Sequence, residues 1–113
     1  MEATAVIRIA KSDDIEAMVA LLHTLFGIEQ DFAANREKQF SGLRLLLKDV
    51  ARARVLVAEA GGQVVGMATA QLVISTAEGA PSAWVEDVVV DGQWRRQGIG
   101  KRLLLELEAW AHQ

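Results

Sequence analysis

A short segment near the end of the chain combines cationic side chains with glycines in a spacing suited to binding an anion. Arg95, Arg96 and Lys101 bracket Gly98 and Gly100. A glycine exposes its N–H group and lets an anion approach without a Cβ in the way. N–H groups at the start of a helix have no intrahelical partner, and guanidinium and ammonium groups attract phosphate. The spacing predicts a site for a phosphorylated ligand. The alternative is that the glycines only make the connection between a strand and a helix flexible and bind nothing.

The elements that would position this segment are a strand before it and a helix after it. The valines at 85 and 88–90 suit the interior of a sheet, although Glu86 and Asp87 interrupt them. From Ile99 onwards the apolar residues recur at helical spacing. The residues expected on the inner face of this helix are Leu103, Leu104, Leu107 and Trp110. A phosphate would therefore meet the N-terminus of a packed helix.

The segment from residue 95 to residue 100, Arg-Arg-Gln-Gly-Ile-Gly, resembles the signature Arg/Gln-x-x-Gly-x-Gly/Ala of the GCN5-related N-acetyltransferases. In that family the signature lies between the fourth strand and the third helix. The resemblance implies acetyl-coenzyme A (acetyl-CoA) as co-substrate, with its pyrophosphate at the helix N-terminus and its pantetheine arm beside the strand. The residues implied to bind it are Val88, Val89, Val90, Arg95, Arg96, Gln97, Gly98, Ile99, Gly100 and Lys101.

The resemblance also implies an amine acceptor that must lose a proton before it attacks the thioester. If the strand alternates, Glu86, Val88 and Val90 share one face, and a carboxylate at 86 lies beside the thioester as a general base. Glu86-Asp87 followed by three apolar residues also resembles the fourth strand of the diamine (spermidine/spermine) N-acetyltransferases, where the matching glutamate is proposed as the base. Orienting a cationic acceptor, or forming a structural ion pair, remain equally open roles for Glu86. Asp87 would point the other way and is expected to be structural.

The rest of the chain predicts an α+β fold in the order β-α-α-β-β-β-α, with a mostly antiparallel sheet flanked by helices. Residues 5–10 form a first strand, and a helix capped by Asp13 and Glu16 runs to about Phe26. A second helix begins near Asp31. Residues 54–60 and 63–74 form a β-hairpin around Gly61 and Gly62, and residues 75–82 form a loop. This is the order of the acetyltransferase fold, although residue types cannot define the join at 27–30.

In the family the fold continues after this helix with further strands, which this sequence does not contain. We therefore expect residues 1–113 to form a single, incomplete N-acetyltransferase domain that ends before the fifth strand. The segment 88–90 would then lie on an uncovered edge, which a homodimer or another chain would complete. Many members use a tyrosine to protonate the leaving thiolate, and this sequence has no tyrosine.

Length, composition and net charge argue against several other classes of function. The sequence has 113 residues, no cysteine and a formal net charge of -3. These values favour one domain without disulfides and argue against nucleic acid or an anionic membrane as a partner. The N-terminus lacks the pattern of a signal peptide, so a cytoplasmic location is expected. His23 and His112 each stand without a second ligand at metal-binding spacing, so no metal is expected.

The best interpretation is an acetyl-CoA-dependent N-acetyltransferase that transfers acetyl to a primary amine by direct attack in a ternary complex. The alternative is a non-catalytic acyl-CoA-binding or assembly module, or half of a split or swapped domain. A P-loop protein is a distant third, because the required lysine and hydroxyl residue do not follow Gly100. Acidic residues at 29, 31 and 86 favour a cationic amine, but small amines, aminoglycosides, amino acids and peptide N-termini all stay open.

Overall fold

The computed structural model describes residues 4–26 and 32–113, which form three α-helices and five strands in the predicted order. The predicted join at 27–30 lies outside the described residues. The α+β prediction is confirmed, with the fourth predicted strand divided into two short ones. The elements are β1 Val6–Ile9, α1 Ile15–Phe26, α2 Phe32–Lys48, β2 Ala53–Ala60, β3 Gln63–Ser75, β4 Ala80–Val85, β5 Val89–Val90 and α3 Ile99–Ala111.

The hairpin of β2 and β3 is the centre of the sheet. Its turn consists of Gly61 and Gly62, with φ angles of 57° and 78°. Positive φ at both central residues matches the twist of the two strands, and glycine adopts it without a steric cost. Ala60 pairs with Gln63 directly across this turn, so the predicted hairpin is confirmed.

The described sheet has the order β1-β2-β3-β4, and all of these neighbours are antiparallel. The short strand β5 also pairs with β3, at Gly66 and Met67, which lie nearer to the hairpin turn than the residues that pair with β4. The predicted loop at 75–82 is wrong at both ends, because β3 continues through Ser75 and β4 begins at Ala80. Pro81 lies within β4, which has β3 on one side only among the described strands. A strand at an edge tolerates a residue without an N–H group.

The two faces of the sheet carry separate apolar clusters. On one face α1 and α2 pack Met18, Val19 and Leu43 against the sheet. On the other face α3 packs Ile99, Leu103 and Leu107. Leu104 was expected inside but is 44% exposed, because the inner stripe of α3 follows the spacing 99, 103 and 107. No helix in residues 4–26 and 32–113 is both long and apolar enough to cross a membrane.

One arginine joins β1, β2 and the start of α1. The Arg8 guanidinium donates to the Asp14 carboxylate at 2.8 and 2.9 Å and to Glu59 at 2.8 Å. Asp14 also accepts from the backbone N–H of Lys11 at 2.7 Å. The predicted cap of Asp13 and Glu16 is therefore wrong. Asp14 closes this turn, because only its carboxylate reaches both Arg8 and the Lys11 backbone.

Gly66 on β3 lies where a strand and a helix both come close. A Cβ at this position would be 3.3 Å from the carbonyl oxygen of Val89 and 3.3 Å from the Cγ2 atom of Ile99. Both distances are shorter than ordinary van der Waals contact. The absence of a side chain at residue 66 thus lets β5 and the first turn of α3 pack directly on β3.

We expect Asp14→Asn to lower the free energy of unfolding by about 2 kcal/mol at pH 7, because it removes charge-assisted hydrogen bonds at a buried site. The hydrogen bonds from Arg8, and then the Lys11 N–H, hold the pKa of Asp14 below its usual value. A depressed folded-state pKa means that the stabilisation is complete above the unfolded-state pKa and is lost as pH falls through the folded-state pKa. Urea unfolding at pH 7 and below about pH 3 should therefore show a smaller difference between wild type and variant at the lower pH, because only there does pH fall through the depressed folded-state pKa of Asp14. Asp13→Asn, at an exposed neighbour, is the control, and an equal loss from both variants would contradict the assignment.

Two glycine substitutions should act in opposite directions. Gly42 lies within α2, and nothing lies within 4 Å of an added Cβ, so Gly42→Ala should stabilise the protein by about 1 kcal/mol. Gly66→Val should destabilise it by about 2 kcal/mol, because the new side chain meets Val89 and Ile99. Thermal and urea unfolding measure both. Unchanged stability of Gly66→Val would show that α3 does not depend on this close approach.

Candidate functional site

The connection from β5 to α3 begins with an ordered turn. The Asp91 N–H donates to the Val65 carbonyl at 2.8 Å, which extends the pairing of β5 with β3 by one residue. The Asp91 side chain then accepts from the Gln93 N–H at 2.9 Å and starts a short 3₁₀ turn, Gly92–Trp94. Trp94 is half-buried and packs on the α3 side of the sheet. This turn fixes where residues 95–98 begin.

The next four residues contain two positive φ angles. Arg96 has a φ of 65° and Gly98 has a φ of 80°. Glycine adopts this conformation freely, but a residue with a Cβ rarely does, so the backbone at Arg96 carries local strain. Left-handed residues beside a helix N-terminus are a recurring feature of concave, N–H-lined anion sites. The predicted phosphate segment therefore has the backbone form that such a site uses.

The N-terminus of α3 is open to a ligand. Gly98 is its N-cap residue and supplies no side-chain cap, and the first turn contains no acidic residue. A Cβ built on Gly98 would meet nothing within 4 Å, so the space in front of this turn is free among the described residues. Arg95, Arg96 and Lys101 are all exposed around it. Uncapped N–H groups, the helix dipole and three cations together favour an anion here.

The strand β5 leaves one backbone edge free among the described strands. Val89 pairs with Met67 and Val90 pairs with Gly66, so β3 occupies one edge. The side chains are buried on alternate faces, with Val89 among the α1 and α2 cluster and Val88 and Val90 against the α3 cluster. Only the backbone of the outer edge remains for a ligand. At the end of this edge the Arg95 Nε donates to the Val90 carbonyl at 3.1 Å, which draws that guanidinium across the strand.

Residues 86–88 form a bulge between β4 and β5. Val85 pairs with Ala70 and Val89 pairs with Met67, so three residues lie opposite only Ala68 and Thr69. An extra residue on one strand shifts its register and turns its side chains. The expectation that the segment alternates regularly from 86 to 90 is therefore wrong. The geometry of the bulge, rather than strand alternation, determines where the side chains of Glu86 and Asp87 lie.

The bulge is held by one threonine, and it gives the two acids different surroundings. Thr69 is 1% exposed, and its carbonyl accepts from the Glu86 N–H at 2.9 Å while its Oγ1 accepts from the Asp87 N–H at 3.3 Å. The Glu86 side chain is exposed, and its Oε2 accepts from the Trp84 Nε1 at 2.7 Å. Asp87 is half-buried, and burial, followed by the nearby charge of Glu86, raises the pKa of its carboxyl. Sequence reasoning missed this environment of Asp87, since nothing in the residue types marks the bulge.

The structure brings the predicted cofactor segment and both acids to consecutive parts of one strand and the turn after it. The described residues contain no group of three histidine, cysteine, aspartate or glutamate side chains arranged to hold a metal ion. The arrangement offers three features: a candidate phosphate-binding turn at residues 95–98 (the phosphate turn), a free edge of β5 next to it, and the carboxylates of Glu86 and Asp87 at the far end of that edge. It can hold a long phosphorylated ligand along β5 and present an acid at the other end.

Comparisons with solved structures show which fold this chain shares. The aminoglycoside N-acetyltransferase AAC(6')-Iy in complex with CoA superposes with a TM-score of 0.81 at 19% identity, over 99% of this chain and 72% of that one. A predicted acetyltransferase with acetyl-CoA from Clostridium acetobutylicum gives a TM-score of 0.80 at 18% identity, over 96% and 74%. The glucosamine-6-phosphate N-acetyltransferase from Arabidopsis thaliana gives 0.75 at 19% identity, over 94% and 73%. At these identities the likeness shows the fold.

The sequence itself supplies the family. No curated protein sequence matches this chain significantly. The model of the acetyltransferase (GNAT) family, however, matches residues 15–113, which include α1, the sheet from β2 onwards, the bulge and the phosphate turn. Since that match covers most of the chain, the protein belongs to the GNAT acetyltransferase family.

Proposed function

We propose that this protein transfers the acetyl group of acetyl-CoA to a primary amine by direct attack within a ternary complex. The observation that carries the proposal is the turn into α3, where left-handed residues at 96 and 98 precede an uncapped helix N-terminus. Membership of the GNAT family supports acetyl transfer as the reaction. The substrate, the mechanism and each residue's role in it are parts of the proposal.

The co-substrate fits the residues at the turn and along β5. Gln97, Gly98, Ile99 and Gly100 would offer backbone N–H groups to the pyrophosphate, and Arg96 and Lys101 are free to approach it from the sides. The outer edge of Val88, Val89 and Val90 would pair with the amide groups of the pantetheine arm. Arg95, which already donates to the Val90 carbonyl, would lie where these two parts of the ligand meet. When bound, the co-substrate supplies an activated acetyl thioester.

Glu86 is proposed as the general base. It would accept one proton from the protonated amine, whose freed lone pair then bonds to the thioester carbonyl carbon. The carbon–sulfur bond breaks, and coenzyme A leaves as a thiolate that takes the second proton of the nitrogen. Its hydrogen bond from Trp84 leaves the second carboxylate oxygen for the amine. Asp87 is proposed to help bind the acceptor. Its half-buried carboxyl lies beside Glu86 and would add negative charge near a cationic amine.

The acceptor is proposed to be a small cationic amine. Glu86 and Asp87 concentrate negative charge at the bulge, which favours a protonated amine in the encounter complex. Two of the similar structures are enzymes named for amino-sugar substrates, an aminoglycoside and glucosamine-6-phosphate. A panel of aminoglycosides, amino sugars and diamines is therefore the first set of acceptors for a thiol-release assay. Saturable acetyl-CoA binding without thiol release from any amine would instead favour a non-catalytic acyl-CoA-binding module.

We expect Gly98→Asp to weaken acetyl-CoA binding by about tenfold or more, because it places a carboxylate where the pyrophosphate would lie. Gly98→Asn is the matched control: asparagine and aspartate have the same size and both tolerate a left-handed backbone, so their difference reports the charge. Isothermal titration calorimetry measures Kd for both variants and the wild type. Equal Kd values for all three proteins would overturn the placement of the pyrophosphate.

We expect Glu86→Gln to lower kcat by about a hundredfold while leaving the Kd for acetyl-CoA unchanged, because the amide cannot accept the amine proton. Asp87→Asn is the comparison, and it should raise KM for a cationic amine more than it lowers kcat. The assay is thiol release with the most active amine of the panel. A large loss of kcat in Asp87→Asn with near wild-type turnover in Glu86→Gln would transfer the role of base to Asp87.

A further inference from the structure

A second concave region lies on the other side of the molecule, between the turn that starts α1 and the second half of α2. Its cavity volume is about 520 Å³, within the usual range for sites that bind small molecules. Its apolar lining includes Ile15, Phe40 and Leu47, and its cationic lining consists of Lys11, Arg44 and Lys48. No acidic residue lines it. Three positive charges thus surround an apolar floor in a protein whose net charge is -3.

These three cations have no carboxylate partner among the described residues. The described ion pairs use Arg8 and Arg36 instead. Asp14, at the turn that starts α1, is occupied by Arg8 and by the backbone N–H of Lys11. Asp13 and Asp49 are closer in sequence to Lys11 and Lys48, but they form none of the described ion pairs. Like charges around one cavity repel each other, and a bound anion would relieve that repulsion. The charge of the cavity is therefore available to a ligand.

Stacking on Phe40 orients the arginine of this group. The Cζ of Arg44 lies 5.5 Å from the centroid of the Phe40 ring, and the Cζ of Arg36 lies 4.8 Å from it. A guanidinium stacked on a ring keeps the N–H groups along its edge for an acid group. Arg36 is committed to Glu16 at 3.0 Å, whereas Arg44 is not paired within the described residues. Arg44 also borders an adjoining cavity that carries Glu37, so an acid group would be favoured on the side of Lys11 and Lys48.

The sheet register separates this cavity from the phosphate turn. Ala10, in the cavity wall, donates to the Val55 carbonyl near the start of β2. Val90, at the phosphate turn, pairs with Gly66 near the start of β3, close to the hairpin turn at the opposite end of the sheet. The two regions also lie along different edges, one by β1 and one by β5, and they share no lining residue.

We propose that this cavity binds a second ligand, a small amphipathic anion with a carboxylate or phosphate group on an apolar body. Lys11, Arg44 and Lys48 bind the acid group by charge-assisted hydrogen bonds. Ile15, Phe40 and Leu47 pack against the apolar body, and its burial supplies the hydrophobic part of the affinity. The site is independent of the proposed acetyl transfer, so either proposal can fail without the other.

The test is a titration followed by ¹H–¹⁵N NMR of the full chain without acetyl-CoA. The probes are 4-phenylbutyrate, 4-phenylbutyl phosphate and the neutral 4-phenylbutanol, which share one apolar body. We expect saturable shifts of amides in residues 10–15 and 40–48 with at least one of the two acids, and no saturation with the alcohol. The tighter acid identifies the preferred head group.

Substitutions of the cationic residues that line the cavity test whether the acid binds there. Arg44→Gln and Lys11→Gln should each weaken the tighter acid by about fivefold, the upper range for an exposed charge pair. Lys38→Gln, which removes the same charge from an exposed position of α2 outside the cavity, should leave the affinity unchanged. Circular dichroism checks that each variant is folded. The proposal is overturned if neither acid saturates, if the alcohol binds equally well, or if Lys38→Gln weakens binding as much as Arg44→Gln.

Discussion

The close approach at Gly66 is the constraint on which the turn into α3 depends. Val89 of β5 and Ile99 of α3 both lie 3.3 Å from the place where a side chain at residue 66 would begin. The turn at 95–98 connects these two elements, so both of its ends are fixed on the same residue of β3. A turn held in this way keeps its strained residue, Arg96, because the packing on both sides compensates for the local cost.

Burial on both faces decides which part of β5 a ligand can contact. Val89 is directed into the α1 and α2 cluster, and Val88 and Val90 pack on the α3 side, so the side chains are already used by the core. The outer backbone edge is what remains. A ligand recognised through this edge would need hydrogen-bond donors and acceptors spaced like those of a strand, because main-chain pairing depends on hydrogen-bond geometry rather than on side-chain identity. The cations at 95, 96 and 101 then add charge at one end only.

Local sequence signals were sufficient for most of the fold. The two-glycine turn predicts the hairpin, the helical spacing predicts α1 and α3, and the Arg-x-x-Gly-x-Gly segment predicts where α3 begins. The signals failed where the answer depends on contacts distant in sequence. Asp14 rather than Asp13 caps the first turn because Arg8 reaches it and is itself held by Glu59 on β2. The cationic cavity is lined by residues from 10–15 and from 40–48, and no local sequence pattern predicts that these two segments lie together. The bulge was equally hidden, since a run of valines fits a regular strand as well as an irregular one.

That bulge has a consequence for which changes of chain length the protein can tolerate. Residues 86–88 oppose only two residues of β3, so removing one of them would bring β4 and β5 into a single register. A shift of one residue turns every side chain of a strand to the opposite face. Either the acids would leave their positions or Val89 would leave the core. At this point of the sheet the number of residues is as strictly constrained as their identity, and homologues are expected to vary here by substitution but not by insertion or deletion.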